Sequence, residues 1–150
     1  MVGSGRTKKT RLGRGRYPHS GGATSEVRRL KGRIYLEHSY LGIIEIIEEI
    51  DGISGINFVE EKQDEILSPE VRKCKKELEE YFSGVRTKFT VKIDFRIGTD
   101  FQKSCWNAMY KIPYGKTISY SEEAIMIGNP KSVRAVGGAN GKNPISIVVP

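Results

Sequence analysis

Two thiols, Cys74 and Cys105, are the strongest nucleophiles in the sequence. A cysteine acts as a nucleophile only as thiolate, which takes a neighbouring base or cation. Cys74 lies among Lys73, Lys75 and Lys76, which would lower its pKa if it were exposed. Its place on an apolar stripe with Val71 and Leu78 argues instead for the core. Cys105 occupies a similar stripe with Phe101, Ala108, Met109 and Ile112. His19 and His38, the two histidines, are close to neither cysteine in sequence, and the same sparsity argues against a metal site. Both thiols therefore read as structural. Two cysteines are also too few for a disulfide scaffold and fit a reducing compartment, the cytoplasm, or the nucleus in a eukaryote.

Residues 131–140, KSVRAVGGAN, hold a different kind of chemistry. Behind the capping box Ser119-x-x-Glu122, a short helix is expected to end at Gly128, and Asn129-Pro130 reads as N-cap and first turn of the next. Helix, short turn with glycine and second helix describe a helix-turn-helix. That second helix offers a base edge only Lys131 and Arg134 as long polar side chains, few for a major-groove reader rich in Asn, Gln and Arg. Gly137 and Gly138 each cost a helix about 1 kcal/mol relative to alanine, so something should need their close backbone approach. Helix-on-helix packing and a partner pressed against the backbone explain them equally well.

The elements that must position these residues follow from patterning. Of 150 residues, 37% are hydrophobic and 29% charged, enough for one core, and no apolar run is long enough to span a bilayer. The net charge of +7 is uneven: residues 1–33 carry +9, residues 34–96 carry −5, and residues 97–150 carry +3. Whole-chain basicity thus reports mainly a Gly- and Arg-rich tail over residues 1–32, expected to be disordered. It reads better as an extension with no role than as a polybasic arm on phosphates. From Arg33 the pattern is β, with Ile34, Leu36, Ile43, Ile44, Ile46 and Ile47, a two-residue hairpin at Asp51-Gly52, and a return strand Ile53 to Val59. Ser68-Pro69 opens a helix that Gly84 stops, and Phe89, Val91, Ile93 and Phe95 alternate as a half-buried strand. After Ile97-Gly98 the texture is helical, starting from the capping box Thr99-x-x-Gln102. The expected architecture is an α/β domain over 33–96 followed by an α-helical module over 97–150.

Phe101-Gln102 with Trp106, Ile112-Pro113-Tyr114-Gly115, Ser119-Tyr120, Gly128-Asn129-Pro130, Arg134-Ala135-Val136-Gly137, Ala139-Asn140 and Asn143-Pro144 occur in order over fifty residues. In this the chain resembles the methylated-DNA–protein-cysteine methyltransferases (6-O-alkylguanine-DNA alkyltransferases). Residues 33–96 resemble that family's N-terminal domain more loosely, through the Asp51-Gly52 hairpin and Leu78-x-x-Tyr81-Phe82-x-Gly84. The tail has no counterpart. The resemblance implies a ribonuclease-H-like sheet with a helix, followed by a winged helix-turn-helix-like DNA-binding domain. It also implies repair of 6-O-alkylguanine and 4-O-alkylthymine by irreversible alkyl transfer to a protein cysteine, without cofactor or metal.

By the same resemblance, Tyr120 presses on the phosphate beside the lesion and rotates the nucleotide outward, while Arg134 takes the flipped base's place in the stack. Ser121 and Asn129 contact backbone, Asn129 where a helix N-terminus favours an anion. Ala135 and Gly138 give the small face that enters the minor groove, and Asn143 is the hinge between that helix and an apolar strand Ile145–Val149. The implied partner is double-stranded DNA with an alkylated guanine, met by a monomer without a membrane. The family's acceptor cysteine follows the proline that aligns with Pro150, so the 150 residues given are expected to be inactive by themselves. The alternative implied is a non-catalytic alkyltransferase-like protein that binds alkylated DNA and flags it for other repair. One residue departs from the pattern: Glu123 stands where the family has an apolar side chain. Unpaired, it would have to be solvated or would weaken its helix.

Overall fold

The structure is a computed structural model that describes residues 30–150. The expected disorder of the basic tail falls on residues 1–29, outside the described residues. Three strands, β1 (Gly32–His38), β2 (Gly42–Glu48) and β3 (Ile53–Val59), form one antiparallel sheet in the order β1-β2-β3. Four helices follow: α1 (Pro69–Phe82), α2 (Asp100–Tyr110), α3 (Tyr120–Met126) and α4 (Val133–Asn140). The α/β half and the helical half thus come in the expected order, with Ile97-Gly98 between them.

Alternation along the strands decides the faces. Ile34, Leu36, Ile44, Ile46 and Ile56 bury against Val71, Cys74 and Leu78 of α1 in one apolar cluster. The opposite face carries Tyr35, Glu45 and Asn57, where the Tyr35 hydroxyl and Asn57 Nδ2 donate to the Glu45 carboxylate at 3.1 and 3.3 Å. α1 begins as expected: Ser68 Oγ accepts from the Val71 N–H at 3.2 Å, with Pro69 in the first turn. Gly84 follows its end with φ +80°, a conformation glycine adopts without steric cost.

The hairpin is longer than the expected two-residue turn. Glu49 to Gly52 form the loop, closed by the Glu49 N–H on the Gly52 carbonyl at 3.3 Å, and Ile50 lies exposed in it instead of opening a strand. Ser54 is passed over in the pairing, since Glu48 faces Ile53 and Ile47 faces Gly55. This β-bulge brings Ile53 and Ile56 both to the outer edge of β3. Ile53 makes a parallel bridge to Ile93, and Ile56 one to Ile145.

Neither segment on that edge becomes the strand expected of it. Residues 89–95 keep the expected alternation in burial, with Val91 buried and Phe89, Ile93 and Phe95 packed against the core. Only the Asp94 N–H reaches β3, on the Ile53 carbonyl at 2.9 Å. The Thr90 N–H donates to Glu77 and the Lys92 N–H to Glu70 Oε1 at 2.7 Å, both carboxylates belonging to α1. Residues 145–149 likewise pair only at Ile145; residues 146–148 turn, with Ile147 at φ +73°. The side chain of Asn143 holds that turn, accepting from the Ile145 N–H at 2.9 Å and donating to the Val149 carbonyl at 2.7 Å.

In the helical half, both capping boxes form with the expected residues, Thr99 with Gln102 and Ser119 with Glu122. Trp106 on α2 is 2% exposed, and its indole N–H donates to the Ala139 carbonyl of α4 at 2.9 Å. Gly98 lies under the edge of the same ring with φ +125°, and a Cβ there would come within 2.6 Å of it. Gly98→Ala therefore meets both backbone strain and overpacking. We expect it to cost about 3 kcal/mol, read as a lower urea midpoint with unchanged slope.

Candidate nucleic-acid interface

The two helices that carry the expected contact residues are held in register by their own side chains. α3 starts at the Ser119 cap, so Tyr120 is its first residue and stands at its exposed end. Its ring lies over the backbone of Gly137, where an added Cβ would meet Tyr120 Cε2 at 3.1 Å. Gly137 follows Arg134 by one helical turn, so the ring contact lies one turn along α4 from Arg134. Arg134, Ala135 and Gly138 share the exposed face of α4, while Val136 and Ala139 are buried against α2 and α3.

The structure separates the two glycines. Gly137 serves packing, because the Tyr120 ring occupies the space of a side chain. Gly138 faces open space, with nothing within 4 Å of an added Cβ. No internal contact accounts for that second glycine.

Ser121 and Asn129 are both exposed, but Asn129 is not a helix cap. The expected helix start at Asn129-Pro130 is displaced: residues 127–132 connect the helices, and α4 begins at Val133 behind Ser132. The Asn129 carbonyl accepts from both the Ser132 N–H at 3.0 Å and the Ser132 hydroxyl at 2.6 Å, closing a separate turn. With its hydroxyl pointed back at Asn129, Ser132 makes no side-chain cap on α4. Asn129 therefore lies before the start of α4, with no helix N-terminus to favour an anion beside it, although the residue remains on the surface after α3.

Glu123, unpaired, would have to be solvated or would weaken its helix. It is 2% exposed and is paired: Asn140, the last residue of α4, donates Nδ2–H to Glu123 Oε2 at 2.6 Å. Burial pushes the Glu123 carboxyl above the ordinary range, and the Asn140 hydrogen bond opposes that shift. No local signal in the sequence links residues 123 and 140, so only the packing of α3 on α4 reveals the pair. Beside it opens a cleft of about 510 Å³, lined among others by Met109, Lys116, Tyr120, Asn143 and Val149.

Both thiols are packed. Cys74 is fully buried, and burial, then the carboxylates of Glu77 and Glu70, push its pKa up to about 12. Cys105 is also buried, and burial followed by Glu123 raises its pKa. Among the described residues, no group of three or more His, Cys, Asp or Glu is placed to hold a metal, and no helix is long and apolar enough to cross a membrane.

Comparison with known proteins agrees with this geometry. Residues 33–95 match the family model of the 6-O-methylguanine DNA methyltransferase ribonuclease-like domain, and residues 100–150 that of its DNA binding domain. A methylated-DNA–protein-cysteine methyltransferase of Methanosarcina acetivorans is 44% identical over 120 residues, which cover 75% of this chain and 76% of that protein. One from Mycobacterium tuberculosis is 55% identical over 74 residues, 49% of this chain and 44% of its own length. The crystal structure of Mycobacterium tuberculosis O6-methylguanine methyltransferase superposes with a TM-score of 0.70 at 36% identity, covering 81% of this chain and 76% of that one. An OGT of the same organism in complex with DNA gives 0.65 at 38% identity, over 77% and 73% of the two chains. This chain belongs to the methylated-DNA–protein-cysteine methyltransferase family, a family of transferases.

Two outcomes follow from burial and open space. Neither cysteine should react with a thiol reagent such as Ellman's in the folded protein on a timescale of minutes, and both should react once urea unfolds it; rapid labelling of the native chain would contradict the packing. Gly138→Ala should stabilise the fold by about 0.5–1 kcal/mol, because it improves helix propensity and meets nothing. Its thermal midpoint against the parent chain checks this.

Proposed function

We propose that this chain serves direct reversal of DNA alkylation, its residues 97–150 holding double-stranded DNA in the minor groove around a flipped alkylated guanine. In the family reaction a cysteine thiolate attacks the alkyl carbon, the bond from that carbon to O6 breaks, and guanine leaves with a proton. Tyr120 would displace the phosphate beside the lesion and Arg134 would fill the vacated stack. Ser121 and Asn129 would contact the backbone, and Ala135 and Gly138 would meet the groove floor. Asn143, which closes the turn of residues 145–149, would act as hinge. The ribonuclease-H-like domain over 33–96, the winged helix-turn-helix-like domain over 97–150 and a monomeric state belong to the same reading.

The observation that carries it is Gly138. A helix gives up stability at an exposed glycine that no internal contact needs, on the same face as Arg134. A nucleic-acid backbone pressed against α4 accounts for that, and the DNA complex of the mycobacterial relative lends support. Cys74 and Cys105 are both buried, so neither is proposed as the acceptor thiol. Neither thiol can receive an alkyl group without unfolding, so these 150 residues alone should take up no label from methylated duplex. Label located on either cysteine by peptide mass would overturn this part.

The decisive experiment is a fluorescence titration of plain duplex and of duplex with an extrahelical guanine, at two salt concentrations. Arg134→Ala should weaken binding to the second duplex more than to the first, since the filler acts only after the base has left the stack. Gly138→Ala should lower both affinities while raising stability. Lys142→Ala should lower both about equally and reduce the salt slope by about one. Equal affinities for Arg134→Ala and the parent chain would remove the filler role.

A further inference from the structure

Asn140 Nδ2 donates to Glu123 Oε2 at 2.6 Å, but Glu123 Oε1 and Asn140 Oδ1 are both shut off from solvent and partnerless among the described residues. An ionised carboxylate only accepts, and so does an amide oxygen. With Glu123 charged, two planar groups already joined by one hydrogen bond would present two buried acceptors without a donor. That is the costly arrangement for buried polar atoms. One proton on Oε1 removes both deficits. It converts Oε1 to an O–H donor that can face Oδ1, so that acid and amide join through two hydrogen bonds in a ring.

We infer that Glu123 is held as the neutral acid in a two-hydrogen-bond pair with Asn140, and that this pair fixes α3 on the end of α4 and positions Tyr120 over Gly137. Tyr120 and Glu123 are three residues apart on α3, as Gly137 and Asn140 are on α4. The ring contact and the acid–amide pair are therefore successive rungs between the same two helices. No base reaches the carboxyl to form an ion pair among the described residues. From α2 the neighbour is the buried thiol of Cys105, and from α4 the amide of Asn140. Glu123 and Asn140 line the cleft together with Lys116, Tyr120 and Asn143, but the free oxygens Oε1 and Oδ1 are turned away from solvent. Lys131, Arg134 and Lys142 are exposed on or beside α4.

Burial raises the folded-state value of Glu123 above its unfolded one, so the native state binds this proton more tightly. The stabilisation is complete below the ordinary glutamate range and is lost as pH rises through the raised value. The acid–amide pair stands apart from the proposed DNA contact; the positioning of Tyr120 for DNA rests on that reading.

The test uses the full chain with glutamate labelled at the side-chain carboxyl carbon, followed by NMR from acidic to mildly alkaline pH. The Glu123 resonance, assigned by its loss in Glu123→Gln, should titrate above those of the exposed glutamates. Titration together with them overturns the neutral acid, and this holds for the parent chain even if the variant folds poorly. Glu123→Gln keeps two complementary hydrogen bonds without a proton to lose. Its thermal midpoint should gain on the parent's as pH rises, and a constant gap overturns the pair. For positioning, DNA affinity of the parent should fall relative to Glu123→Gln over the same pH window. Parallel profiles from two binding-competent proteins overturn the positioning role alone, whereas no binding by either at any pH would discard the DNA reading and leave the acid–amide pair to the resonance.

Discussion

The indole of Trp106 is the contact on which the helical half depends. It touches two separate parts of the chain: the segment 95–98, with Phe95 at a ring separation of 5.5 Å and Gly98 beneath its edge, and α4, through its N–H on the Ala139 carbonyl. The ring therefore fixes the segment leaving the sheet, the helix that carries it and the far end of α4. A buried indole N–H without a partner is costly, so α4 is held at one depth as well as in one direction. The exposed face with Arg134 and Gly138 is presented only because the opposite face, Val136 and Ala139, is seated by this contact.

On that foundation α3 and α4 meet over two small areas of unlike chemistry. Tyr120 on Gly137 is an aromatic ring on bare backbone, and Glu123 with Asn140 is a buried polar pair. Replacing the apolar residue expected at 123 by glutamate would ordinarily weaken a helix contact. Here a short amide at the end of the neighbouring helix accepts the burden, and specificity of register is gained with it. Gly138 shows the opposite economy, a residue kept although the fold would be more stable with alanine.

The outer edge of β3 explains why two apolar, alternating segments stop short of being strands. The bulge at Ser54 presents Ile53 and Ile56 to that edge, and each is taken by a different segment through one bridge. Thr90 and Lys92 then give their amides to Glu77 and Glu70 of α1, and residues 145–149 are pulled into a turn by Asn143. The two halves of the chain thus share one edge and one apolar cluster.

Local chemistry was legible in the sequence. The caps Ser68, Thr99 and Ser119, the strand Ile53–Val59 and the burial of both cysteines depend on residues within a turn or two of each other, so short-range pattern suffices for them. The contact residues from Tyr120 to Asn143 were legible only through resemblance, since nothing in their spacing assigns a role. What the tertiary structure alone decided was which hydrogen-bond partner each ambiguous group takes. Strand propensity in 89–95 lost to carboxylates of α1, and Glu123 found Asn140. The physical reason is the same in both. A backbone amide or buried carboxyl must be satisfied, and the group that satisfies it is chosen by proximity in space. At 145–149 and at Asn129 the competing partners, Asn143 and Ser132, are near in sequence, and the fold decided which local pairing prevails.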